Sequence, residues 1–532
     1  MNIERSMFDV QSFQCSGHAE IDISGKIRKS PCLAVFGTGS DVGKSIIATA
    51  LCRFFANRGI RVAPYKAQNM SNNSGVTPEG LEMGRAQIVQ AEAARIPPHV
   101  DMNPILLKPT SDIGSQVVLL GKAVENSTAS EYHTKKESLF AAAGAALDRL
   151  RHEYDLVVME GAGSCAEVNL MPHDIVNFRM ADYADAPVIL VADIHRGGVF
   201  AQIVGTLNCL EKAYRDQIRG FIINRFRGDI SLFEDGIGWI EKKTNKNVFG
   251  VLPWYNHIQI DPEDSVVIEN PQKVFTENSG TPSVAVIRIP HISNFTDFDP
   301  LTALDGLDLF FLEKVQSLLP FKAVILPGSK NTCFDLRWIQ SSGWLDKLSA
   351  FVKNGGHVLG ICGGYQMLGS YVHDPEGLEG TPGSTRGLEL LPVETVLKAP
   401  KTTTLTRFQH AETVKGTGYE IHMGQTRRLG GNPWFKVVER NNIACEDADG
   451  CVSPDKKIMG TYLHGLFENP AVTRLWLDHI GLPGIKTATL EGVEAKDREY
   501  DLLAEYFESH IDVDGIRKLV PQNAKAVGEK IE

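Results

Sequence analysis

Basic residues are in the minority: 54 Lys and Arg stand against 65 Asp and Glu over 532 residues, a formal charge of −11. Nucleic-acid binding rewards the opposite excess, because phosphate neutralisation carries most of the affinity, so small molecules are the expected partners and nucleic acid is not. The nine cysteines (15, 32, 52, 165, 209, 333, 362, 445 and 451) never form a CxxC pair. Their odd number and scatter speak against a disulfide framework or a zinc site and point to reduced thiols. The opening MNIERSMFDVQSFQC lacks the apolar stretch of a signal peptide, and no run of about 18 apolar residues occurs later. A cytoplasmic location without a membrane partner is the resulting expectation.

What is present is ordinary globular material. Hydrophobic residues at 43% and charged residues at 22% allow a buried core in each of two or more domains at this length. Residues 1–29 are polar and carry no motif, so they read as a peripheral arm. From residue 30 to 265, the short apolar runs CLAVF, RVAPYK, DLVVME, VILVADI and GFIINRF alternate with amphipathic stretches, the pattern of βα units around a parallel sheet. The Asn-, Pro-, Gly- and Ser-rich stretch NPQKVFTENSGTP falls in a linker at 266–282. VAVIRI, KAVILPGS and HVLGIC then restart the alternation in a second α/β domain, 283–480. The charged segment 481–532 is expected to be a helical tail packed on the surface. The fold class is therefore α/β, with two parallel-sheet domains in succession.

GTGSDVGKS follows an apolar strand and opens a helix, the setting a phosphate-binding loop requires. Gly37, Thr38, Gly39, Ser40, Asp41, Val42 and Gly43 would turn backbone amides toward an anion, Lys44 would reach the outer phosphates of ATP, and the Ser45 hydroxyl would ligate Mg²⁺. Thr38 stands where the strict motif has its first glycine, which makes this a variant loop. Glu160, at the end of the strand in YDLVVMEGAGS, is the candidate to hold Mg²⁺ across from Ser45. ATP and Mg²⁺ are expected as co-substrate, with no tightly bound organic cofactor. The loop resembles that of dethiobiotin synthetase and its relatives, which activate carboxylates as acyl phosphates.

In the second half, HVLGICGGYQMLG places Cys362 between an apolar strand and a glycine-framed helix start, the pattern of a nucleophile elbow. His464, in GTYLHGLFENP, is the candidate base, and His422, in GYEIHMG, the second choice. Gly328 and Ser329, in AVILPGSKNT, could join Gly363 in offering amides to an oxyanion. The other eight cysteines read as small buried hydrophobes. Together these residues suit hydrolysis of the side-chain amide of L-glutamine through a thioester.

The second half resembles the class I glutamine amidotransferases. Many members carry Glu two residues after the histidine; Leu466 stands there in this chain, which leaves either a Cys–His dyad or another orienting group such as Glu468. PYKAQNMSNNS, NPILLKPTSD, EGAGSCAEVNL and INRFRGD, in that order, resemble the cobyric acid synthase family. The resemblance implies a fused amidoligase. Ammonia from glutamine would amidate the b, d, e and g carboxylates of a corrinoid, adenosylcobyrinic acid a,c-diamide, in adenosylcobalamin biosynthesis. One departure is VADIHRGG, where His195 replaces an expected Asp. Alternatives are a cobyrinic acid a,c-diamide synthase, disfavoured by PYKAQNMSNNS and PHISNFTDFDPL, and a regulatory P-loop ATPase with a non-catalytic glutaminase-like module.

Overall fold

The computed structural model describes residues 29–110, 114–128, 132, 134–255, 258, 260–261, 280–487 and 492–520. The expected N-terminal arm up to residue 28 and the linker up to residue 279 lie outside the described residues.

The apolar runs of the first half become six parallel strands in the order Asn247–Pro253, Ile218–Phe226, Val188–Asp193, Cys32–Gly37, Leu156–Glu160, Val62–Tyr65. Cys32–Gly37 is buried along its whole length, because helices cover both faces of the sheet. That is why it reads as an unbroken apolar run instead of an alternating one. Helix Lys44–Asn57 starts directly after the glycine-rich turn, with Gly43 at φ +96° as its first flanking residue. The turn therefore sits at the carboxyl end of a central strand, where open α/β sheets bind ligands.

The second half repeats the plan. Its sheet runs Asp308–Leu312, Ser283–Ile287, Ala323–Leu326, His357–Ile361, Ile458–Thr461, Cys451–Val452, parallel except for the last pairing. Beside it stands a long antiparallel hairpin of Val393–His410 and Val414–Arg428. Three neighbouring strands, ending at Leu326, Ile361 and Thr461, release their chains on the same side.

The tail differs from expectation. Helix Gly492–His510 returns to the first half and lies against Lys44–Asn57, with Tyr500, Leu503 and Phe507 inside that domain's core. Arg53, fully buried, pairs with Asp497 and Asp501 at 2.8 Å each. One apolar face of this charged helix supplies the reason: burying it yields more than solvation would. Among the described residues no helix is long and apolar enough to cross a membrane.

Candidate active sites

The strand endings of the second half converge on Cys362. Its backbone adopts φ +52° and ψ −108° as the residue flanking helix Gly363–Met367, a conformation that costs a non-glycine residue of order 1–3 kcal/mol and is typical of strained functional turns. Close packing holds it there: a Cβ on Gly364 would sit 2.0 Å from the Leu326 carbonyl. Gly328 and Ser329 leave the neighbouring strand and pair with Ile292–Ser293. A Cβ on Gly363 would fall 2.8 Å from the Ser329 nitrogen, and one on Gly328 would fall 3.1 Å from the His464 ring. Cys362, Gly363, Ser329 and His464 thus line one pocket, while Gly328 packs beside the imidazole.

His464 is buried, and its Nδ1 lies 2.7 Å from Oδ2 of Asp297. The other carboxylate oxygen accepts the Gly465 N–H at 2.8 Å. Burial alone would lower the imidazole pKa, but the charges and hydrogen bonds of Asp297 and Cys362 outweigh it and push it up to about 10. With Nδ1 committed to Asp297, the other ring nitrogen is the one that serves Cys362. The histidine is also fixed by paired backbone bonds to Tyr419 and by that residue's ring, stacked at 5.2 Å.

Asp297 was missed in the sequence. It lies in PHISNFTDFDPL, a segment noted only for its resemblance, and nothing local marks this carboxylate among its neighbours. The suggested Glu468 does not orient His464: its carboxylate faces Arg85 at 3.1 Å and Lys496 at 3.2 Å. Leu466, at the place of the usual glutamate, is buried in the apolar core. His422 lines the same pocket, but its nitrogens face Gly424 O at 2.8 Å and Glu420 Oε2 at 3.3 Å, and its ring stacks on Tyr462.

In the first half, a cavity of about 810 Å³ opens over the phosphate loop. Gly37 must lack a side chain, because a Cβ would meet Val42 at 2.7 Å and the Gly39 carbonyl at 2.9 Å. Thr38 donates its N–H to Val191 O. The later motifs grip this loop. Asn224 donates to Val42 O at 2.9 Å, and Arg225 pairs with both Asp41 and Asp193 at 3.0 Å. Lys44 donates to Gly39 O and Gly163 O at 3.0 and 2.9 Å, with Ser40 on the same cavity wall.

Ser45 Oγ donates to Glu160 Oε1 at 2.9 Å, so the two expected metal ligands do meet. Glu160 also accepts from Lys66 at 3.0 Å and from Gln90 at 2.6 Å. A hydroxyl on the cavity wall with one buried carboxylate directly behind it fits Mg²⁺, which usually takes one or two protein oxygens and completes its shell with phosphate and water. His195 is exposed, with its ring 5.1 Å from Trp254 and its N–H on Asp193 Oδ1.

Two family models match in tandem. Residues 33–266 match a CobQ/CobB/MinD/ParA nucleotide binding domain, and residues 283–472 match a CobB/CobQ-like glutamine amidotransferase domain. A nucleotide-binding half joined to a glutamine amidotransferase half defines the class: a glutamine-hydrolysing amidoligase. The chain is 52% identical over 491 residues to a cobyric acid synthase of Chlorobium phaeobacteroides, covering 92% of this chain and 99% of that one. It is 50% identical to the cobyric acid synthase of Chlorobaculum tepidum (94% and 99% covered) and 46% identical to that of Salmonella typhimurium (92% and 98%). The chain belongs to the cobyric acid synthase family.

Proposed function

We propose that the chain uses ATP and glutamine to amidate the b, d, e and g carboxylates of adenosylcobyrinic acid a,c-diamide, giving adenosylcobyric acid in adenosylcobalamin biosynthesis. The observation that carries this reading is the presence of two furnished sites in one chain whose relatives of the same architecture are cobyric acid synthases.

The half spanning 283–480 acts as the glutaminase. Cys362 Sγ attacks the side-chain amide carbon of glutamine while the amides around Ser329 and Gly363, beside Gly328, receive the developing oxyanion. The thiol proton already resides on His464, which Asp297 holds as an imidazolium in the orientation this needs, and His464 gives it to the leaving ammonia. Water then cleaves the glutamyl thioester.

The half spanning 30–265 acts as the synthetase. The amides from Gly37 to Gly43 cradle the phosphates, and Lys44 neutralises the transferring group. Ser45 and Glu160 would hold Mg²⁺, whose charge would offset that of the phosphates when bound. Phosphorylation of a corrinoid carboxylate gives an acyl phosphate, and ammonia displaces the phosphate to leave a primary amide. A cytoplasmic location suits these soluble substrates.

Incubation of the protein with glutamine, ATP, Mg²⁺ and the a,c-diamide, followed by mass spectrometry of the corrinoid, tests the substrate. Four successive replacements of OH by NH₂ are expected. An unchanged corrinoid at saturating substrates would sink the assignment, and conversion of cobyrinic acid to its a,c-diamide would favour the rival synthase.

A further inference from the structure

The pocket around Cys362 is not built by the glutaminase half alone. Lys108, on strand Ile105–Pro109 of the synthetase half, forms part of its wall beside Lys330 and Lys401. Lys108 Nζ donates to Glu82 Oε1 and to Ser74 Oγ, each at 2.7 Å. Lys401 crosses from the long hairpin of the glutaminase half to the other oxygen of Glu82 at 2.6 Å. These side chains are nearly shut off from water, at 3% exposure for Lys108, 1% for Glu82 and 10% for Lys401. One carboxylate therefore serves two buried ammonium groups from opposite halves of the chain.

Lys330 lines the same pocket, and among the described residues its ammonium has no hydrogen-bond or ion-pair partner. Glu379, a carboxylate on the wall itself where Glu82 lies behind it, accepts the Cys333 N–H at 3.0 Å. By formal charge, the three lysines of the wall against Glu379 on it and Glu82 behind it leave one positive charge in excess. Burial dominates the titration of these groups, raising Glu379 to about 7 against the pull of Lys330. Burial lowers the pKa of Lys330, and the charges of Lys401 and Lys108 lower it further; burial lowers that of Lys108 to about 8 against the pull of Glu82. Buried cations are tolerated only when an anion completes them. The lining is short of one.

Glutamine brings that anion. Its side-chain amide must reach Cys362, which leaves its α-carboxylate and α-ammonium to be held by the pocket wall. We propose that Lys330 and Lys108 bind the α-carboxylate of glutamine while Glu379 faces its α-ammonium, so that the glutaminase pocket is completed by a side chain of the synthetase half. This rests on the glutaminase reading of Cys362. It also gives the docking of the halves a catalytic meaning. Ser74, which holds Lys108, donates its N–H to Asn294 at 3.4 Å, and Asn73 accepts from Thr296 at 3.0 Å. Both partners sit within three residues of Asp297. Glutamine would thus bind well only when the synthetase half is seated.

The test compares two substrates in the full-length protein: L-glutamine, and the amide of γ-aminobutyric acid, which is glutamine without its α-carboxylate. Ammonia release is followed for the wild type, Lys108→Met, Lys108→Arg and Lys330→Met. For glutamine, each methionine variant should raise KM by roughly 10- to 100-fold, the worth of a hydrogen-bonded charge pair, with a smaller change in kcat and partial recovery in Lys108→Arg. For the truncated amide, the same variants should match the wild type within about threefold, because the group they contact is gone. Equal losses on both substrates, or an unchanged KM for glutamine in both methionine variants, would overturn the proposal. Should Lys108→Met fail to fold, Lys330→Met alone decides between these outcomes. If the wild type releases no ammonia from glutamine, or Cys362→Ala still does, the glutaminase reading itself falls.

Discussion

Nδ1 of His464 and Oδ2 of Asp297 meet at 2.7 Å across 167 residues of chain, behind the wall of the Cys362 pocket and almost wholly hidden from water. The contact joins a loop after the last long parallel strand of the second sheet to a short turn, Phe295–Phe298, near that sheet's beginning. It supplies the orienting carboxylate at the place where Leu466 cannot. The same carboxylate binds the Gly465 N–H, so it fixes the backbone as well as the ring.

Asp297→Asn keeps the size of that group and removes its charge. Glutamine hydrolysis should fall roughly 10²- to 10⁴-fold, the range set by general acid–base catalysis and by loss of the correct tautomer. Amidation with ammonium chloride in place of glutamine should persist, since that route bypasses Cys362. Steady-state rates with each nitrogen source check this. A glutaminase rate within threefold of wild type would remove Asp297 from the catalytic line.

The charge of His464 also makes stability depend on pH. Its folded pKa of about 10 lies above the ordinary value of 6.5, so between these limits the folded chain binds more protons than the unfolded one. Its contribution is complete below about pH 6.5 and is lost as pH rises through about 10. Thermal melting of wild type and His464→Gln at intervals from pH 6 to 10.5 should show the wild-type advantage shrinking across that window. Parallel curves would mean that Asp297 does not hold the imidazolium.

How much of this was readable from the chain depends on distance. Each strand of the parallel sheets, the loop at Gly37–Ser45 and the elbow at Cys362 lies within a dozen consecutive residues, so spacing and residue type suffice to pick them out. Asp297 carries no such mark, because its meaning comes from a partner far along the chain. Glu468 looked suitable because it is near His464 in sequence, yet the turn Leu466–Glu468 aims it at Arg85 and Lys496. Lys108 stood in plain view in NPILLKPTSD, but only the docking of the two halves brings it to the pocket of Cys362. The tail misled for a related reason: its charged face dominates the sequence, while Tyr500, Leu503 and Phe507 form the narrower stripe that buries.

That stripe predicts a stability effect far from either site. Phe507 is fully buried against helix Lys44–Asn57 and its neighbours. Phe507→Ala should lower the unfolding free energy by about 3–5 kcal/mol through lost transfer energy and the cavity left behind. Urea denaturation followed by tryptophan fluorescence measures it. A loss below about 1 kcal/mol would mean that the tail rests on the surface, as its charge had suggested.

Glu160 offers the matching test for the synthetase half. It receives Ser45, Lys66 and Gln90 on its two oxygens, and Glu160→Gln preserves its volume while removing the charge that Lys66 and a phosphate-bound Mg²⁺ would share. Amidation should drop by roughly 10²-fold or more with glutamine and with ammonium alike, and half-maximal activity should require more Mg²⁺. Glutamine hydrolysis at Cys362 should survive in the same variant, because none of its chemistry passes through the phosphate loop. An unaltered Mg²⁺ titration would assign Glu160 to holding Lys66 and Gln90 in place, and the metal would then have to be held from Ser45 and the phosphates alone.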